Sequence, residues 1–219
     1  MSRISSTLLL IAFGLPLAGC DGSSLASPVA PDTPTLSANA GGAVVTQNAN
    51  IGPAPMPFTG SFSGSATLVR NARGLWLSGQ SDDFEEGAAY TIWSAIFENP
   101  GACEDNCNPP DLQVPEVQGA QSNFGGFVAG PDGTFEVHLA RHDDSRETLQ
   151  GVGRSGIDNP YQAEIHFIFR SHGPAETDAD LLAAQISTLA ASCNRNPGPG
   201  CQNQGLVIFG SPGAPGQGQ

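Results

Sequence analysis

Glycine and proline interrupt most of this chain at short intervals, and only residues 1–13, 134–150 and 175–196 run for more than a dozen residues without either. The 219 residues include 28 glycines and 18 prolines. In a helix interior a glycine costs about 1 kcal/mol relative to alanine and a proline about 3 kcal/mol. A helical bundle or coiled coil is therefore excluded, and short strands joined by turns are favoured. Several stretches between the breaks alternate with period two, as strands with one buried face do. Phe58, Phe62, Ala66 and Leu68 share one face of such a stretch. Residues 90–97 are apolar on both faces and read as a central strand covered on two sides. Residues 124–129 and 134–140 flank Gly130-Pro131-Asp132-Gly133, a turn sequence, and read as a hairpin. Residues 163–171 and 205–209 supply two more strands. One segment differs: in residues 178–189, Leu181, Leu182, Gln185, Ile186 and Leu189 fall near helical spacing after acidic residues. The expected fold is mainly β, an antiparallel β-sandwich or barrel with one short helix near 178–189.

The ends of the chain carry a different kind of information. Arg3, the apolar run from Leu8 to Leu15, and the small residues Ala18 and Gly19 before Cys20 form a graded series. The run is too short to span a bilayer as a helix and fits the core of a signal peptide. Leu17-Ala18-Gly19-Cys20 resembles the lipobox of bacterial lipoproteins. That resemblance implies cleavage before Cys20, lipid on its thiol, and attachment of the rest to a membrane of the cell envelope, outside the cytoplasm. Residues 1–19 are then a signal peptide. Residues 20–57 read as the lipidated cysteine and a disordered tether, since prolines recur there and little is available to bury. Residues 58–209 read as one β domain, and 210–219 as a disordered tail.

Charge narrows the partners. Asp and Glu number 21 against 8 basic residues, all of them Arg, for a formal net charge of −13. Such a chain repels phosphate backbones, so no nucleic-acid partner is expected, and membrane contact is expected only through lipid.

With Cys20 committed to lipid, Cys103, Cys107, Cys193 and Cys201 remain. Four cysteines allow three pairings. Local pairing needs the least chain organisation, so Cys103–Cys107 and Cys193–Cys201 are the expected disulfides in an oxidising compartment. Their spacing fits a four-cysteine zinc site poorly.

Two further segments carry a likeness. One is Tyr90-Thr91-Ile92-Trp93 with Ile96-Phe97-Glu98-Asn99-Pro100 and Cys103. The other is Ala163-Glu164-Ile165-His166 with Arg170-Ser171-His172-Gly173-Pro174 and then Gln185-Ile186-Ser187-Thr188. Together they resemble a group of uncharacterised exported bacterial proteins. The Ile-His and His-Gly-Pro elements are also similar to parts of the CHRD domain, a secreted β-rich module. In that module the two histidines are almost adjacent, whereas here a strand's length separates them. The likeness implies an exported β domain and brings no catalytic residues with it.

No catalytic signature stands out, and the expectation is a non-enzymatic binding or structural module with no cofactor assigned. Gly151-Val152-Gly153-Arg154-Ser155-Gly156 is not followed by a helical pattern and reads as a loop. Asp82-Asp83-Phe84-Glu85-Glu86 lacks the spacing of a calcium loop and reads as a solvated acidic turn. The alternative is a metal site. Strand parity directs Ile165, Phe167 and Phe169 to the core and Glu164, His166, Ile168, Arg170 and His172 to the other face. The same parity sends Glu136 and His138 outward. If those strands pair, His138, His166 and His172 gather on one solvent-facing surface able to hold zinc or copper.

Overall fold

The computed structural model describes residues 44–54, 61–104, 106–143, 145, 148, 155–189 and 202–212. Cys20 with the signal peptide, most of the tether, Cys193 and Cys201 lie outside the described residues.

Eight antiparallel strands form one sheet: β1 (Val45–Pro53), β2 (Gly64–Asn71), β3 (Gly74–Gln80), β4 (Ala88–Phe97), β5 (Gly119–Val128), β6 (Thr134–Ala140), β7 (Glu164–Pro174) and β8 (Gln202–Phe209). Their spatial order is β5-β4-β7-β8-β1-β2-β3-β6. The sheet curls until its two ends, β5 and β6, face each other and the barrel is nearly closed; a methyl placed on Gly125 of β5 would lie 3.1 Å from Val137 Cγ1 of β6. The mainly β expectation holds, in its barrel form.

The expected hairpin is corrected. The turn is present, with Gly133 at φ 58° and its N–H donating to the Gly130 carbonyl at 3.1 Å. Yet β5 pairs with β4, and β6 with β3. The turn thus bridges the seam of the barrel instead of closing a two-stranded ladder. The tether boundary moves as well, because residues 45–53 form β1 between β2 and β8. Its sequence alternates Gln47, Ala49 and Ile51 against Thr46, Asn48 and Asn50, a pattern too polar to stand out from a linker.

An eight-stranded barrel is just wide enough for side chains to fill, and here they do. Phe124, Phe135, Phe167, Phe169, Leu68, Leu77 and their neighbours from all the strands form one buried cluster. At one end Phe84 folds inward against the rings of Phe62, Tyr90, Phe127, Phe135 and Phe169, at centroid distances of 4.9–5.8 Å. Edge-to-face packing of this kind adds to the stabilisation from buried area alone.

The outer face of the sheet differs from strand to strand. The helix α1 (Ala179–Ser187), found where its spacing predicts it, packs on β4 and β5. Asp178 caps it, its carboxylate accepting the N–H groups of Asp180 and Leu181 at 3.0 Å. Gly126 permits the contact, since a Cβ there would sit 2.1 Å from the Ile186 carbonyl oxygen. Beside the helix, the connection from β4 to β5 lays Cys107, Leu112 and Val117 over Ala95 and Phe97. Every residue of β4 is buried in consequence, as its two-sided apolar sequence predicts.

Candidate functional site

The histidine surface is not assembled. His166 and His172 lie on β7, third in the strand order, whereas His138 lies on β6 at the far end, paired with Trp76 of β3. Parity is as expected, since Ile165, Phe167 and Phe169 enter the core. The error lies in the step from outward-facing to solvent-facing. His166 is 9% exposed and His172 is 5% exposed, because other elements cover this outer face. The His166 ring packs 4.9 Å from that of Phe97, and its Nε2 sits 2.7 Å from Glu164 Oε1. His172 Nε2 lies 2.8 Å from the Thr91 hydroxyl, which also accepts the Trp93 indole N–H at 3.2 Å. Gln185 of the helix extends this set by donating to the Pro174 carbonyl and accepting the Glu176 N–H. His172, whose carbonyl accepts from the Gln185 amide at 3.5 Å, thus sits in the layer between helix and sheet, whereas His166 packs against Phe97 of β4. Among the described residues, no group of three or more His, Cys, Asp or Glu side chains is placed to hold a metal ion.

The acidic turn is tied into the barrel rim. Asp83 accepts the Ser63 N–H at 2.7 Å and the Ser63 hydroxyl at 3.0 Å, and the Glu85 N–H donates to the Tyr90 hydroxyl. Burial pushes the Tyr90 phenol above its ordinary value. The carboxylates of Asp82, Asp83, Glu85 and Glu86 belong to exposed residues around the inward-turned Phe84. A shallow depression of about 190 Å³ beside them is lined by Ser63, Gly64, Ser65, Gln80, Ser81 and Asp82.

Cys103 and Cys107 form the expected disulfide, with Cα atoms 5.3 Å apart. It staples the segment that covers Phe97. Glu98, next along the chain, accepts the N–H groups of Asp158 and Asn159 at 2.7 and 3.0 Å and binds that segment to a second loop.

One residue was missed entirely. Arg70 continues the inward face of β2 after Ala66 and Leu68 and is fully buried. Its guanidinium donates to the carbonyls of Pro160, Ala163, Phe209 and Gly210 and to the Gln47 amide oxygen. Five donors meet five acceptors from three parts of the chain, β1, the loop at 160–163 and the end of β8, which closes the barrel there without a carboxylate. Burial lowers the Arg70 pKa to about 10, so it stays charged at neutral pH. Parity alone places Arg70 inward; an arginine at an inward position was the available signal.

The outer face of β1, β2, β3 and β6 is different again. Its residues are exposed or half-buried along each strand, apart from the paired Asn71 and Gly74 where β2 turns into β3. Cross-strand register sets them in rows: Thr46, Val69, Trp76 and His138 in one, and Asn48, Thr67, Ser78 and Glu136 in the next. Thr67 donates its hydroxyl to the Asn48 side-chain oxygen at 2.8 Å. Two of these strands, β1 and β3, were not recognised in the sequence, so the face could not be drawn from it.

No helix among the described residues is long and apolar enough to cross a membrane. No family model, curated protein or solved structure matches this chain.

Proposed function

We propose that this chain is a lipid-anchored protein of the bacterial cell envelope, and that its barrel is a non-enzymatic binding module acting through the outer face of β1, β2, β3 and β6. The observation that carries the binding part is a contrast: the barrel interior is filled by side chains, while among the described residues no other element packs over this outer face. A ligand therefore has no place inside the barrel and meets the molecule from outside. The anchoring part rests on the residues before Cys20, and the Cys103–Cys107 disulfide agrees with life outside the cytoplasm. Several acyl chains, at about 0.8 kcal/mol per buried CH₂, hold such a protein durably at a membrane.

The test is metabolic labelling of the full-length chain with a palmitate analogue, followed by membrane fractionation. The native chain is expected to take up label and sediment with membranes. Cys20→Ser is expected to remain unlabelled and either unprocessed or free of the membrane. Equal labelling and sedimentation of the two would contradict the reading.

A further inference from the structure

We infer that the open face around Trp76 binds a neutral oligosaccharide; the inference rests on the proposal that this face is the binding surface. The residues that carry it are Trp76 and His138 in one row and Asn48, Thr67, Ser78 and Glu136 in the next. Trp76 is half-buried on its strand, and its cross-strand neighbours Val69 and His138 stand on either side. An indole on an exposed sheet offers a flat apolar surface with a polar N–H at its edge. The C–H face of a sugar ring matches the first and its hydroxyls match the second. Neighbouring strands lie about 4.8 Å apart and rows about 7 Å apart, so the two rows across four strands cover a strip some 14 Å long. That is the scale of a short oligosaccharide.

Charge decides among ligand classes. The chain carries a formal net charge of −13, yet of these six side chains only Glu136 is formally charged when histidine is neutral. A polyanion finds no Lys or Arg among them; the exposed Arg73 and Arg141 lie beyond the end of the rows, in the turn after β2 and just after β6, and the net charge of the molecule repels it. A basic protein partner would be drawn to the acidic turn, not to a face with one carboxylate. Protein interfaces are moreover depleted in serine at their cores, and their hot spots are poor in serine and threonine. An amide, two hydroxyls, an imidazole and one carboxylate around an indole instead supply the mixed donors and acceptors that a polyhydroxylated, uncharged ligand needs.

The experiment is titration of the folded protein with cellotetraose, chitotetraose, maltotetraose and an anionic galacturonate tetramer. Binding is followed by tryptophan emission and by amide shifts. At least one neutral tetramer is expected to bind, with shifts centred on β2, β3 and β6, and the anionic one is not. Trp76→Ala is expected to weaken binding roughly tenfold or more. Ser78→Arg, which leaves the indole and crowds the face, is expected to do the same, while Ile208→Ser on β8 leaves the affinity unchanged. Circular dichroism on each variant confirms that it is folded. Failure of all the neutral tetramers at about 10 mM overturns the oligosaccharide assignment, while the Cys20 labelling result stands independently. Binding that survives both Trp76→Ala and Ser78→Arg overturns the site.

Discussion

The two sides of this barrel use the same strand pairing and treat their outer faces in opposite ways. On β4, β5 and β7 the outer residues Thr91, Trp93, Phe97, Asn123, His166 and His172 are buried under other elements of the chain, while Glu164, Ile168 and Arg170 of β7 are half-buried and Val128 at the end of β5 is exposed. On β1, β2, β3 and β6 the equivalent positions carry Thr46, Asn48, Thr67, Ser78 and Glu136, which meet solvent to varying degrees. The difference shows that polar character on an outer strand face does not reveal whether the face is wet. His166 and His172 look like a solvated or ligand-binding set in isolation. They are buried because a nine-residue helix and a disulfide-stapled loop sit on the same side. Buried polar groups keep their hydrogen bonds, and His172, Thr91 and Trp93 satisfy one another there. Asn123 is the exception, since its side-chain nitrogen is buried with no partner.

The sharpest way to break the comparison is to remove a large outer side chain from the covered side. Trp93→Ala is expected to lower stability by about 3–5 kcal/mol in urea unfolding, the usual cost of emptying a packed aromatic site. A loss below about 1 kcal/mol would mean that the covering elements do not pack on the sheet. Arg70 tests the joint between the sides, because it extends from β2 to the loop at residues 160–163 and to the end of β8. Arg70→Met is expected to cost on the order of 3 kcal/mol by leaving several carbonyls without donors. Arg70→Lys keeps the charge but cannot present five donors in one plane, so it is expected to recover only part of that loss.

The disulfide contributes less. Closing so short a loop removes little chain entropy, and the Cys103→Ser, Cys107→Ser double variant is expected to lose about 2 kcal/mol. Hydrogen exchange should locate the loosening at the loop and the outer side of β4 and leave β1 to β3 protected as before. Uniform deprotection would erase the distinction between the two sides. The smallest effect is expected on the open side, where Trp76→Ala should change stability by about 0.5–1 kcal/mol, because the ring is only partly buried.

How much of this was legible follows the same division. A two-sided apolar run marked β4, and strong apolar alternation marked β6 and β7 and gave the correct inward residues, Phe135, Val137, Leu139, Ile165 and Phe167 among them. The helix was legible because Asp178 caps it just before a run of helical spacing. Strand β1 was hidden by its own polarity, for Asn48, Asn50 and Gln47 resemble the linker before them. The pairing of β5 with β4 was hidden because a turn sequence gives only local geometry, and barrel closure is a property of all eight strands. The burial of His166 could not be read from its own strand, since its ring packs on Phe97 of β4, a residue that Cys107, Leu112 and Val117 cover from another part of the chain. The local disulfide was legible from spacing alone.

The chain holds two tryptophans, one on each side of the comparison, and this allows a direct test. Trp76→Phe leaves Trp93, which is 2% exposed, as the lone emitter. Its native emission is expected to be blue-shifted and nearly insensitive to acrylamide, while Trp76, obtained as the difference from the native chain, is expected to be red-shifted and readily quenched. Equal quenching of the two indoles in the folded state would contradict the division into a covered and an open side, and with it the surface assigned to binding.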